Sequence, residues 1–183
     1  MPSEKTRTAI IVGVLAVVVI LVFGGLTLFI LKIRAVAAQK QALEELKQDN
    51  PVEYYVLHTP AAANDDDLRN EMVGTWYLVG TKSRSTGIFI TLISPQNYHK
   101  TFTLTNWAIA TYDNNSNLLY SAGGRYTLQG DLYTESIEEA TGQMTQYLGA
   151  HPRFRIRVVG DKYYQMGAGR NPSIEEMWQR ADE

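Results

Sequence analysis

Between Thr8 and Leu31 the chain runs for 24 residues without a charged side chain, and threonines are the only polar side chains in it. A helix rising about 1.5 Å per residue covers about 36 Å over such a run, enough to cross a hydrocarbon core about 30 Å thick with some tilt. The segment therefore predicts a membrane-spanning helix. A cleaved signal peptide is the competing reading, because Lys5 and Arg7 make a basic start and Ala35-Val36-Ala37 resembles a small-residue cleavage site. Two features favour a retained anchor: the run exceeds the usual apolar stretch of about 7–15 residues in a signal peptide, and Lys32 and Arg34 separate it from the would-be site. The basic flanks nearly cancel, Lys5, Arg7 and the terminal amine facing Lys32, Arg34 and Lys40. The expected layout is a single pass through the cell membrane with the carboxy-terminal part outside the cytoplasm. Three regions follow: an anchor over 1–34, a helical stalk and linker over 35–71, and a folded domain over 72–183.

Beyond the anchor, residues 35–183 carry 13 basic and 18 acidic side chains, a net charge of -5. An acidic surface disfavours binding to nucleic-acid phosphates or to anionic lipid patches. The chain has no cysteine, which excludes disulfide frameworks, thiolate metal sites and cysteine nucleophiles. Residues 35–48 read as helix continuing the anchor, stopped at Asn50-Pro51. Val52 to Leu57 reads as a short strand or extended linker, and Thr59-Pro60 with the following alanines as a mobile spacer. Asp65-Asp66-Asp67 lacks the spaced oxygen ligands and turn glycine of a calcium loop, and suits a helix start capped by Asn64 or Asp65.

After Gly74 the pattern changes to short runs rich in Val, Ile, Thr, Tyr and Phe, separated by turn residues. Strands are predicted at 75–82, 87–93, 99–104, 107–112, 124–128, 132–138, 154–159, 162–166 and 174–180. This is an all-β, antiparallel domain, and so many short strands in about 110 residues must close on themselves or form a sandwich. Closure into a barrel of about eight strands abolishes exposed edges and leaves an interior that side chains or one small ligand can fill. Alternation within the strands assigns faces. Phe154, Ile156 and Val158 oppose Arg153, Arg155 and Arg157, so the apolar set points inward and the arginines into water. Tyr133, Glu135 and Ile137 share one face, which sets a carboxylate among large apolar groups. Such a carboxylate must pair with a cation such as Arg180, accept hydrogen bonds, or titrate at a raised pKa, unless its face is the solvated one.

Gly74-Thr75-Trp76 opens the first strand with G-x-W, and Gly123 to Glu135 reads GGRYTLQGDLYTE. With Asn106 to Asp113 and the terminal Glu176 to Arg180, these elements resemble bacterial lipocalin-like domains of the DUF4488 type over roughly residues 72–182. The resemblance implies an up-and-down calycin barrel with a cavity for a small, mainly apolar molecule. It also implies a structural base in which Trp76, next to Gly74, packs under Arg180 by cation–π stacking. A cavity of this kind works by apolar burial with a few polar groups fixing orientation. Tyr112, Tyr126, Tyr133, Glu135, Tyr164 and Trp178 are the ligand-binding candidates, because tyrosine and tryptophan join a wide apolar face to one hydrogen-bonding tip. For each ring, packing in the core or against the outside of the barrel is the competing role.

Catalysis receives little support. His58, His99 and His151 share no metal-ligand spacing, no nucleophile elbow or phosphate loop is present, and Glu138-Glu139 and Glu175-Glu176 are neighbours that a strand turns to opposite faces. No catalytic residue, metal or cofactor is assigned; isomerase or cyclase chemistry in such a barrel would centre on Glu135 or Tyr133. The remaining alternative is a non-catalytic module that recognises another envelope protein with its loops, held from the bilayer by stalk and spacer.

Overall fold

The computed structural model describes residues 31–93, 97–169 and 174–181. The predicted anchor lies outside the described residues except at its carboxy-terminal end. No helix among the described residues is long and apolar enough to cross a membrane. The chain divides into two compact units, Met1–Glu45 and Leu46–Glu183. Residues 31–49 are helical (α1), covering the helix read over 35–48.

Within the second unit two short helices precede the strands. Helix α2 (Pro51–His58) starts where Asn50 turns its side-chain oxygen to the Glu53 amide, with proline in the first turn, where its missing N–H costs nothing. Asn50-Pro51 thus ends one helix and begins the next. Val52 to Leu57 is helical, correcting the strand-or-linker expectation; the two valines that read as a strand signal, Val52 and Val56, are four residues apart and bury one helix face. Helix α3 (Asp65–Met72) is capped by Asn64, whose oxygen accepts the Asp67 amide at 2.9 Å, and the acid triplet occupies the first turn as predicted.

Ten strands follow: β1 (Gly74–Lys82), β2 (Phe89–Thr91), β3 (Tyr98–Phe102), β4 (Asn106–Tyr112), β5 (Leu118–Gln129), β6 (Leu132–Glu135), β7 (Glu139–Ala140), β8 (Arg153–Val159), β9 (Lys162–Gly167) and β10 (Glu175–Arg180). Pairing runs β1-β3-β4-β5-β6-β8-β9-β10, and β10 returns to β1 with Trp76 opposite Arg180 and Leu78 opposite Trp178. The result is a closed, antiparallel, up-and-down barrel of eight strands, the lipocalin-like architecture. The extra run near 87–93 does not widen it. Strand β2 pairs with the second half of β1 on the edge whose first half pairs with β3, so β2 and β3 share one position in the wall. Strand β7 similarly adds two residues beside β5.

One end of the barrel is sealed. Leu68 and Met72 of α3 are buried in the main core, and Asp65 ties the helix to the β5–β6 turn by accepting the Gly130 amide at 2.8 Å. Trp76 is fully buried; its Nε1 donates to the Met72 carbonyl at 2.8 Å. The Arg180 guanidinium lies 4.1 Å from the centroid of that indole and donates to the carbonyls of Val73 and Glu71 at 2.7 and 2.6 Å. Gly74 has φ +127, and a Cβ there would stand 2.8 Å from Arg180 Nη1. Only glycine accepts both the backbone angle and the approach.

The outside of the wall is partly covered. Val52 and Val56 pack on Tyr164, and Tyr55 stacks on the same ring at 4.4 Å. Asn50 and Lys82 both reach Glu175, at 2.6 Å each. Segment 50–58 is therefore a brace on β9 and β10. Along β8, Phe154 and Ile156 are buried as the alternation predicts, and Arg155 meets Asp131 at 2.8 Å on the outside; Arg157, expected in water, is instead largely covered, donating to the Thr59 carbonyl at 3.1 Å and meeting Asp131 at 3.4 Å.

Candidate functional site

The half of the lumen next to α3 is packed with rings. Phe102, Tyr126, Tyr133 and Tyr163 meet at centroid distances of 5.5 to 5.9 Å, mostly edge to face, and Phe154 lies 6.1 Å from Tyr133. Toward the other end the packing stops. A cavity of about 910 Å³ opens there, lined along its walls by Trp107, Ile109, Ile137, Phe154 and Ile174 and at its mouth by Arg84, Tyr147, His151 and Arg153.

Its floor is polar. Strand β3 alternates with Lys100 and Phe102 inward, and Lys100 is only 2% exposed. Its Nζ donates to Glu135 Oε1 at 2.7 Å and to Gln165 Oε1 at 2.8 Å. Six ring centroids, of Phe102, Trp107, Tyr133, Phe154, Tyr163 and Trp178, lie 5.2 to 5.8 Å from the same nitrogen. The cation is thus held by one carboxylate, one amide oxygen and a cage of aromatic faces. Tyr133 adds a donation to Glu135 Oε1 at 2.9 Å, and Tyr163 donates to Gln165 Oε1 at 2.6 Å. Gln165 Nε2 and Trp178 Nε1 each donate to Glu176 Oε2 at 3.2 Å. Lys100, Glu135, Gln165 and Glu176 all line the cavity.

Burial dominates the proton affinities here. It pushes the phenols of Tyr133 and Tyr163 well above their ordinary range, and the negative charge of Glu135 raises both further. Glu176 keeps part of its surface open to the cavity, yet desolvation raises its pKa; Lys100 opposes this and Glu135 reinforces it. Both bonds to Glu135 arrive at Oε1 and both bonds to Glu176 at Oε2.

The six residues proposed from sequence divide. Glu135 lines the cavity, 5% exposed, and its cation is Lys100 rather than Arg180, which is engaged at the sealed end. Tyr126, Tyr133 and Trp178 are buried in the lumen but belong to the packing around and beneath the floor; Tyr126 donates to the Thr103 carbonyl at 2.9 Å. Tyr112 and Tyr164 are outside the lumen. Tyr112 follows the register shift after Thr111 and packs on His99 at 5.2 Å, and Tyr164 takes the outward phase of β9 under α2. Lys100 and Gln165 were not singled out. Their signal was the two-residue spacing: Lys100 is in phase with Phe102, and Gln165 with Tyr163, as Glu135 is with Tyr133. Glu176 alternates in phase with Trp178, and the structure turns that face inward.

Among the described residues, no group of three or more histidine, aspartate or glutamate side chains could hold a metal ion. The arrangement can instead bury an apolar body against the walls and offer it a hydrogen-bonding floor.

No family model matches the chain, and no curated protein matches it. Among solved structures, a lipocalin-like protein from Bacteroides uniformis ATCC 8492 is similar over 61% of this chain and 99% of that one, at 11% sequence identity and a TM-score of 0.47. An uncharacterized protein from Bacteroides eggerthii DSM 20697 is similar over 60% of this chain and 99% of its own, at 8% identity and a TM-score of 0.45. The lipocalin-like architecture described above stands on the chain's own strand order, register and closure.

Proposed function

We propose that this chain is a membrane-anchored, lipocalin-like protein of the DUF4488 type that binds or carries one small, mainly apolar molecule. The observation that carries the reading is the cavity of about 910 Å³, open at one end and floored by a hydrogen-bonded polar cluster. Such a volume lies in the range of about 300–1,000 Å³ typical of small-molecule sites; its aliphatic and aromatic walls supply the apolar surface, while charged and amide side chains make up the floor and much of the mouth. Burial contributes about 25 cal/mol for each Å² of ligand surface removed from water, while the floor fixes which end goes in first. The 24-residue uncharged run supports the anchor, and a single pass with the barrel on the extracytoplasmic side is part of the same proposal.

A second reading, a surface for another envelope protein, draws on exposed apolar side chains near the mouth, among them Ile88, Ile90, Ile93, Leu118, Leu119 and Leu148. One comparison separates the two. The full chain and its Ile109→Trp variant, in which the new indole fills the lumen, are purified alike, extracted with organic solvent and analysed by mass spectrometry. The carrier reading expects a molecule present at about one per chain in the wild type and depleted in the variant. Identical extracts from the two, with only bulk lipid in each, would give the interaction surface precedence.

A further inference from the structure

The floor of the cavity is not balanced in charge. One ammonium, Lys100, faces two carboxylates, Glu135 and Glu176, and all three line the same space. Lys100 is already committed to Glu135 and to the Gln165 oxygen. The Gln165 oxygen accepts a second bond from Tyr163, and its amide nitrogen donates to Glu176. Two of the three Lys100 protons and one of the Gln165 amide protons are thus given to the protein's own acceptors, each carboxylate receiving its bonds at a single oxygen, Oε1 of Glu135 and Oε2 of Glu176, while Trp107 Nε1, buried on the cavity wall, has no partner among the described residues. The floor itself keeps free carboxylate oxygens and an excess negative charge, in a setting of aromatic faces that attract cations, with Trp107 Nε1 as a neutral donor beside it.

Resting on the carrier reading, we infer that the deep end of the cavity takes the protonated amine head of an amphiphile, its ammonium seated against Glu176 and Glu135 and its apolar body along Ile109, Ile137 and Ile174. A carboxylate head is disfavoured at this depth, because Lys100 already pairs with Glu135 and an added anion would lie beside Glu176, whose charge is offset only by Lys100 and, from the mouth, by Arg84. Arg84 and Arg153 stand at the mouth with His151 and are the groups of opposite sign. Both arginines are exposed, so water and salt weaken their repulsion of an incoming amine far more than they weaken the attraction at the dry floor. The raised proton affinity of Glu176 fits the same picture, since a site holding more negative charge than its own lysine neutralises gains most from a second cation.

The test uses three water-soluble probes of one chain length, hexylamine, hexanol and hexanoate, titrated by tryptophan fluorescence into the full chain held in an amphipathic polymer. The expected order of affinity is hexylamine, hexanol, hexanoate, with the amine about tenfold tighter than the alcohol, as one charge-assisted hydrogen bond supplies. In Glu176→Gln the gap between amine and alcohol collapses. The wild-type order alone already decides, so the inference stands or falls even if the variant does not fold. Hexanoate binding as tightly as hexylamine overturns the inference and leaves the carrier reading intact, as does an amine preference that survives in a folded Glu176→Gln. Failure of all three probes to bind overturns both.

Discussion

The two halves of the barrel lumen are built from the same residue classes and do opposite things. At the sealed end, Trp76, Arg180, Phe102 and Tyr126 fill the space, and the polar tips of Trp76, Arg180 and Tyr126 finish on backbone carbonyls of Met72, Val73, Glu71 and Thr103. At the open end, Lys100, Glu135, Gln165 and Glu176 finish on one another and border a hollow. A side chain bonded to nearby backbone is fixed by local geometry and serves stability. A side chain bonded only to other buried side chains from distant strands is costly to desolvate, and such networks are retained where they specify or bind something.

The largest effect should come from breaking the floor. Lys100→Met leaves Glu135 charged and unpaired in a dry site, and a loss of about 3–5 kcal/mol is expected in urea unfolding. Adding Glu135→Gln to the same chain should recover most of it, because the cost lies in the orphaned charge. A double variant no more stable than the single one would make the pair an ordinary packing element like those of the sealed end. Trp76→Ala, at that end, should cost a similar 3–5 kcal/mol or so, as buried tryptophans do, but without any such rescue. Near-wild-type melting would remove Trp76 from the barrel base.

Arg180→Met should be milder, about 2 kcal/mol, since the guanidinium contributes one cation–π contact and charged bonds to two carbonyls while the indole stays buried. Glu176 should give a pH signature that the sealed end lacks. Its proton affinity in the folded chain is raised above the ordinary 4.5, so the folded state binds that proton more tightly than the unfolded state does. Its contribution to stability is therefore full below that ordinary value and is lost as pH rises through the folded value. Glu176→Gln should melt higher than the wild type at neutral pH, with the difference vanishing on acidification toward 4.5; an equal or growing difference in acid would contradict the placement. Smallest of all, Arg125→Ala removes an exposed pair with Glu138 on the outer wall and should change stability by less than about 1 kcal/mol.

The sealed end was legible through the G-x-W resemblance, which implies an indole at Trp76 packed under an arginine of the closing strand, Arg180; the structure adds why glycine stands at Gly74, its φ and the close approach of the guanidinium. Alternation also placed Phe154 and Ile156 inward, and Tyr133 with Glu135 among them, because the side-chain period of a strand is fixed. Legibility ended where a residue's meaning depends on distant strands. Lys100 reads as a solvated lysine until β6 and β9 bring Glu135 and Gln165 to it, at sequence separations of 35 and 65. Tyr164 reads as a lumen ring because no pattern within β9 announces that α2 covers its outer side, and Tyr112 takes the outward phase of β4, in which Trp107 and Ile109 turn inward.

The claim on which the rest depends is that the upper lumen is hollow and takes one molecule. It is tested most directly by titrating the neutral fluorophore N-phenyl-1-naphthylamine into the full chain and into Ile109→Trp, each measured against polymer alone. Saturable enhancement at one site per chain in the wild type, abolished in a variant that keeps its melting transition, is the predicted result. Binding that is absent in the wild type, or unchanged when the lumen is filled, would contradict it.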